Sequence, residues 1–262
     1  MVVTIMTERI DNYAQRFGGI GRLYGAAALE RLQRAHICVI GIGGVGSWVA
    51  EALARSGIGK ITMIDMDDIC VTNINRQLHA LSGNIGKLKT EVMAERILLI
   101  NPDCQVNVID DFISADNLSD YITTDYDYVI DAIDNVKTKA ALIAYCKRRK
   151  IKIITVGGAG GQTDPTQIQI GDLSKTIQDP LLAKVRSLLR KEYHFSQNPK
   201  RKFGIDAVFS TQPLIFPQAE GNCEVSATMN CANGFGAATM ITATFGFFAV
   251  AKMIDKLTAL KS

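Results

Sequence analysis

Two cations and an acid, Arg76, Lys89 and Asp134, are the residues of this 262-residue chain best suited to chemistry on a phosphate. Arg76 ends the segment Thr72-Asn73-Ile74-Asn75-Arg76, Lys89 follows thirteen residues on, and Asp134 lies in the run Asp131-Ala132-Ile133-Asp134-Asn135. Charge builds on phosphoryl oxygens as a P–O bond breaks, and fixed cations stabilise it. Asp134 suits Mg2+, a hard cation that prefers carboxylate and phosphate oxygens. A hydride-transfer enzyme has no need of two cations at this place. The three side chains therefore point to a triphosphate and are the expected catalytic residues.

Residues 36–65 must position them. An apolar run at 36–40 has the form of a strand buried on both faces. The loop Gly41-Ile42-Gly43-Gly44-Val45-Gly46 follows, then an apolar-periodic helix to about Ser56 and a second strand at 60–64 that ends in Asp65. Strand, Gly-x-Gly-x-x-Gly, helix, strand and terminal acid make a nucleotide-binding βαβ unit. Gly41 permits the tight turn, Gly43 and Gly44 let the backbone approach a phosphate, and Gly46 lets the helix pack close. Asp65, 24 residues after Gly41, sits where a carboxylate accepts from ribose hydroxyls.

Further along, 86–100 reads as an amphipathic helix, 104–109 as a strand and 116–121 as a short helix. A strand at 126–130 leads into Asp131, a helix with a basic last turn covers 136–150, and a fifth strand spans 151–156. Strands at 166–170 and 207–210, without a crossover helix in register, suggest antiparallel additions, and 181–193 reads as a helix. The expected fold is α/β: a Rossmann-like, mostly parallel sheet with helices on both faces, extended by antiparallel strands in the C-terminal half. No linker divides the chain, so 1–262 is read as one domain, with a nucleotide-binding core at 12–160 and a substrate-binding, dimer-forming part at 161–262.

Composition limits the alternatives. A net charge of +3 is too small to announce nucleic-acid binding by itself. The six cysteines form no C-x-x-C pair, which argues for reduced thiols, a cytoplasmic setting and no zinc. Cys231 reads as a buried thiol rather than a nucleophile, because no histidine adjoins it. Residues 229–251 are apolar enough to raise membrane attachment as the lesser alternative to a core helix running from about 235 to 257. Residues 7–25 read as a polar arm carrying Arg16 and Arg22. The stretch 193–204, YHFSQNPKRKFG, is a basic loop, and Arg190, Lys200, Arg201 and Lys202 are its candidate RNA contacts, with Tyr193, Phe195 and Phe203 interleaved.

The glycine loop, Asp65, Thr72-Asn73-Ile74-Asn75-Arg76-Gln77, Gly86-x-x-Lys89 and Asp131-x-x-Asp134-Asn135 together resemble the ubiquitin-activating-enzyme-like superfamily. Its members adenylate carboxylates with MgATP. The resemblance implies that the loop and Asp65 bind ATP, that Asn73, Arg76 and Lys89 hold its phosphates, and that Asp134 binds Mg2+. It further implies a homodimer in which an arginine of the N-terminal arm, Arg16 or Arg22, reaches the partner's phosphates, although Gly18-Gly19-Ile20 departs from the usual Arg-Gln-Ile form.

Three more segments, RFGGIGRLYG, VGGAGGQTDPTQIQIGDLSKTIQDPL and MNCANGFGAATMITATFGF, are similar to the tRNA threonylcarbamoyladenosine dehydratase family. That likeness implies ATP-dependent activation of the threonyl carboxylate of a modified adenosine beside the tRNA anticodon, followed by ring closure and release of AMP. It also implies association with a cysteine desulfurase sulfur-transfer system. The alternative, an adenylyltransferase for a ubiquitin-like sulfur carrier, is disfavoured by the missing zinc cysteines.

Overall fold

Alternation along the strand β1 (His36–Ile40) sets the plan of the molecule. Ile37 and Val39 enter one apolar layer, and Cys38 and Ile40 enter the other. Successive side chains of a strand leave opposite faces, so a strand apolar from Ile37 to Ile40 needs helices on both sides. The structure, a computed structural model, describes residues 13–216 and 235–259. Cys223, Cys231 and the segment 229–234 lie outside the described residues.

The remaining strands are β2 (Lys60–Ile64), β3 (Gln105–Ile109), β4 (Tyr128–Asp131), β5 (Ile153–Val156), β6 (Ile168–Asp172) and β7 (Asp206–Ser210). They form one sheet in the order β3-β2-β1-β4-β5-β7-β6. The helices are α1 (Tyr13–Tyr24), α2 (Ala26–Arg34), α3 (Gly46–Arg55) and α4 (Lys89–Ile100), then α5 (Leu118–Tyr121), α6 (Val136–Arg149), α7 (Pro180–Glu192) and α8 (Thr239–Thr258). One layer is built from α2, α3, α4 and α8, and the other from α5, α6 and α7. The chain reverses direction across the sheet between β1 and β4, and ligands of open α/β sheets bind at that switch point.

The α/β expectation holds, with local differences. Only β6 of the two C-terminal strands is antiparallel; β7 runs parallel to β5, because α7 serves as its crossover. The polar arm contains α1 despite three glycines. Phe17 is buried and Tyr13 donates to the Gly57 carbonyl at 2.5 Å, so packing overrides weak helix propensity. The helix expected from Gly86 begins at Lys89, because 86–88 pair with 67–69 instead: Ile69 N donates to Lys87 O and Gly86 N to Ile69 O, both at 2.9 Å.

No helix among the described residues is long and apolar enough to cross a membrane. The apolar side of α8 is buried against α3 and the sheet, with Phe245, Ala249 and Met253 in the core. Gly246 lets it approach closely, since a Cβ there would lie 3.0 Å from the Val45 carbonyl oxygen.

One ion cluster holds α3 against α4. Glu51 of α3 is buried and accepts from Arg55 at 2.7 Å and from Arg96 of α4 at 2.7 and 3.0 Å. Burial pushes its carboxyl up, but the two guanidiniums outweigh burial and leave it below the usual carboxylate value. A depressed folded value gives stability that is full above the ordinary carboxylate range and is lost as pH falls through the depressed value. Glu51→Gln should therefore lower unfolding stability by about 1–3 kcal/mol at pH 7, and urea melts should show the gap closing below about pH 4. A gap that does not change with pH would contradict the assignment.

Candidate active site

At the C-terminal ends of β1, β2, β4 and β5 the loops enclose one open cavity of about 1140 Å3. That exceeds the roughly 300–1,000 Å3 of most small-ligand pockets. Gly41, Gly43, Gly44, Asp65, Asn73, Arg76, Lys89 and Asp134 all line it. Residues spread over almost a hundred positions of sequence are thus brought to one place. Gly46 stands behind the lining, where a Cβ would overlap the Gly41 carbonyl, and Gly41 itself has φ +85°.

The glycine loop is held by side chains at Ile42. Ile42 N donates to Asp65 Oδ2 at 2.5 Å, and Ile42 O accepts from His79 Nε2 at 2.8 Å. His79 is buried, and burial followed by the nearby Lys89 charge lowers its pKa. It is therefore a neutral donor at physiological pH, which agrees with a structural role for this histidine. No side chain caps the first turn of α3. Ser47 N and Trp48 N donate to Gly43 O and Val45 O, both at 3.1 Å, and the positive end of the helix dipole is left for an anion.

Local hydrogen bonds aim each charged group. Asn73 accepts from Cys70 N at 3.0 Å and closes the one-turn 3-10 helix at 71–73. Arg76 lies across Gly44, its Nη1 donating to Thr72 O at 2.8 Å and Asn75 Oδ1 at 3.1 Å. Its carbonyl accepts from Trp48 Nε1 at 3.1 Å, and Thr239 Oγ1 donates to Asn75 O at 2.6 Å. The cationic segment is therefore tied to both α3 and α8. Lys89 opens α4, is 5% exposed, and pairs with Asp67 at 2.6 Å.

Asp134 is exposed on the loop that follows β4. Buried charge holds that loop: Asp131 and Lys139, each fully enclosed, pair at 3.0 Å, and Lys139 Nζ also donates to Ile133 O at 2.8 Å. Thr155 Oγ1 donates to Asp131 at 2.7 Å, and Asn135 caps α6 by accepting from Lys137 N and Thr138 N. A second buried acid, Asp179, caps α7 and accepts from Gly158 N at 3.0 Å, with burial raising its pKa.

Asp67, Lys139 and Asp179 are the site-building residues that motif reasoning passed over. Lys139 gives a signal in retrospect, because it stands three residues after Val136 on the apolar face of its helix. The cavity continues along Gly158, Gly160, Leu181, Leu214 and Phe235 on one side, and reaches Phe112 and Ile133 on the other.

Six other candidates lie away from the cavity of their own chain. Arg16 is exposed on α1 and donates to Ile100 O at 3.3 Å, and Arg22 is exposed nearby. Arg190 is half-buried with its guanidinium 5.1 Å above the Phe203 ring. Lys200, Arg201 and Lys202 are exposed. Phe203 is buried and Phe195 packs edge-on against it at 4.9 Å, so those aromatics serve the fold instead of forming an open stacking surface. Among the described residues no group of three or more His, Cys, Asp or Glu side chains could hold a metal ion.

Comparison with known proteins agrees with this geometry. The tRNA threonylcarbamoyladenosine dehydratase of Haemophilus influenzae is 79% identical over 262 residues, all of both chains. The Escherichia coli enzyme of that name, solved in complex with ATP, superposes with a TM-score of 0.86 at 59% identity over 94% of this chain and 95% of its own. The Escherichia coli sulfur carrier protein ThiS adenylyltransferase is more distant, 30% identical over 135 residues, or 51% of this chain and 53% of its own. The ThiF family model matches residues 19–259. The chain belongs to the ThiF family, with the tRNA threonylcarbamoyladenosine dehydratases as its near relatives.

Proposed function

We propose that this protein is an ATP-dependent tRNA threonylcarbamoyladenosine dehydratase that adenylates the threonyl carboxylate and lets the substrate close its own ring. One observation carries the proposal. The glycine loop, Arg76, Lys89 and Asp134 share a single cavity that extends past them, leaving room for a second substrate beside a nucleotide. The named relatives support the choice of substrate.

In this reading the purine lies toward Phe112 and Ile133, the ribose meets Asp65, and the phosphates lie over Gly43 and Gly44 at the start of α3. A carboxylate oxygen attacks the α-phosphorus, pyrophosphate leaves, and a mixed anhydride with AMP forms. The carbamoyl group of the same side chain then attacks the acyl carbon, loses its proton and expels AMP. The substrate loses one water in all. The nucleophile is already attached, so a high effective molarity replaces an enzyme nucleophile.

Arg76 and Lys89 stabilise charge on the phosphates. The pairing of Lys89 with Asp67 keeps the ammonium aimed until phosphate displaces the acid. Asp134 alone fits Mg2+ shared with phosphate oxygens, since that ion takes one or two carboxylates and completes its shell with phosphate and water. Mg2+ bound there would neutralise phosphate charge.

Arg16 reaches the Ile100 carbonyl at the end of α4 remote from the cavity, and neither it nor Arg22 lines the cavity of its own chain. Either can therefore serve only the cavity of a second copy, which favours a homodimer. Residues 161–262 supply the substrate side of the single domain. Cys38, Cys70, Cys104 and Cys146 are free, which suits a reducing cytoplasm. Contact with sulfur-transfer proteins is the remaining partner expectation, supported by the distant likeness to the ThiS adenylyltransferase.

The direct test is incubation with MgATP and tRNA carrying threonylcarbamoyladenosine, followed by nucleoside mass spectrometry. Loss of one water is expected, and an unchanged nucleoside would overturn the proposal. Lys89→Ala and Asp134→Ala should each cut AMP release by about 10²-fold or more while circular dichroism stays unchanged; normal turnover would refute their roles. Mixing inactive Lys89→Ala with an inactive arm variant, Arg16→Ala or Arg22→Ala, should restore about a quarter of the activity through mixed dimers. No recovery on subunit exchange would refute a crossing arginine.

A further inference from the structure

The cations at the end of α6 and those of the loop 193–204 are some fifty residues apart in sequence, yet they meet in the fold. Lys147 Nζ reaches the Phe203 carbonyl and lies 5.8 Å from the Phe195 ring. Around that contact Arg148, Arg149, Lys150 and Lys152 stand exposed beside Lys200, Arg201 and Lys202. None of these seven takes part in an ion pair among the described residues. Like charges gathered without ion pairs repel one another, and an anionic partner relieves that repulsion.

The loop is fastened from several sides. Asp172 accepts from Phe203 N at 2.9 Å and Gly204 N at 2.7 Å, Lys175 donates to Pro199 O at 2.5 Å, and Gln197 donates to Arg190 O at 3.0 Å. The backbone that carries its cations is thus held in place before any partner arrives, which lowers the ordering cost of binding.

Position gives the ridge its meaning. α6 starts at the cavity, where Asn135 and Thr138 line it, and runs for 14 residues to the opposite end of the sheet. α7 does the same from Pro180. At 1.5 Å per residue the ridge lies about 20 Å from the reacting groups. A nucleotide in the cavity cannot touch it, but the helical stem that carries a loop nucleotide can.

We propose that Arg148, Arg149, Lys150, Lys152 and Lys200–Lys202 form one preorganised ridge that grips the phosphates of an RNA duplex stem while the adjoining loop base occupies the cavity. This rests on the functional reading above and adds a measuring distance to it. Phosphate contacts of this kind position an RNA without reading its sequence.

The test compares two substrates carrying the modified adenosine: an anticodon stem-loop, and the loop oligonucleotide without its stem. Arg148→Glu combined with Arg149→Glu should raise the KM for the stem-loop roughly 10-fold or more and flatten its salt dependence. The KM for the short loop and for ATP should not change. Arg148→Gln combined with Arg149→Gln, a milder change, should shift the stem-loop KM in the same direction. Equal KM values for wild type and both variants on the stem-loop would overturn the ridge, and would leave its charges to an acidic protein partner. An equal loss on both substrates would overturn it too, by showing contact near the cavity. A wild-type enzyme that dehydrates neither RNA would instead overturn the functional reading, and the ridge with it.

Discussion

Two successive peptides held on either side of one residue, the Ile42 amide on Asp65 and the Ile42 carbonyl on His79, are the constraint on which the site depends. Beside them α3 presses so close to the end of β1 that Gly46 has no space for a methyl group. With those two peptides fixed, the start of α3, which no side chain caps, faces the cavity. The carboxylate at the end of β2 does two things at once: it fastens the loop, and it waits where a ribose would lie. Replacing either partner would free the loop on which phosphate binding relies.

Around this fixed point, charge is placed by tethers instead of by bulk. Lys89 is drawn in by the short pairing of 67–69 with 86–88, and Asp67 neutralises it. The Arg76 segment hangs from Trp48 and Thr239. The loop bearing Asp134 rests on the enclosed Asp131–Lys139 pair. A buried pair of this kind contributes little net stability against an apolar alternative, yet removing one member costs about 3–5 kcal/mol. It is better understood as setting the position of Ile133 and Asp134 than as holding the fold together.

The glycine loop, both flanking strands and the order of charged motifs were legible in the sequence, because each follows from local rules about glycine, strand ends and cation placement. What was not legible depends on tertiary pairing. Nothing in the arm sequence says that Phe17 and Tyr13 will find Gly57 and wind glycines into α1. Nothing around Asp67 in the sequence says that Lys89 will fold against it. The aromatics of the basic loop looked open to bases, and Phe203 proved to be core, because Asp172 and Lys147 draw its backbone inward. The direction of β7 depended on recognising α7 as its crossover.

All of this geometry serves one claim, that the cavity directs a substrate carboxylate onto the α-phosphorus of ATP. Isotope transfer tests it most directly. With tRNA whose threonyl carboxylate carries 18O, one labelled oxygen should appear in the AMP released, read by mass spectrometry. Label found in inorganic phosphate with ADP as the other product would mean attack at the γ-phosphorus, and would contradict the account.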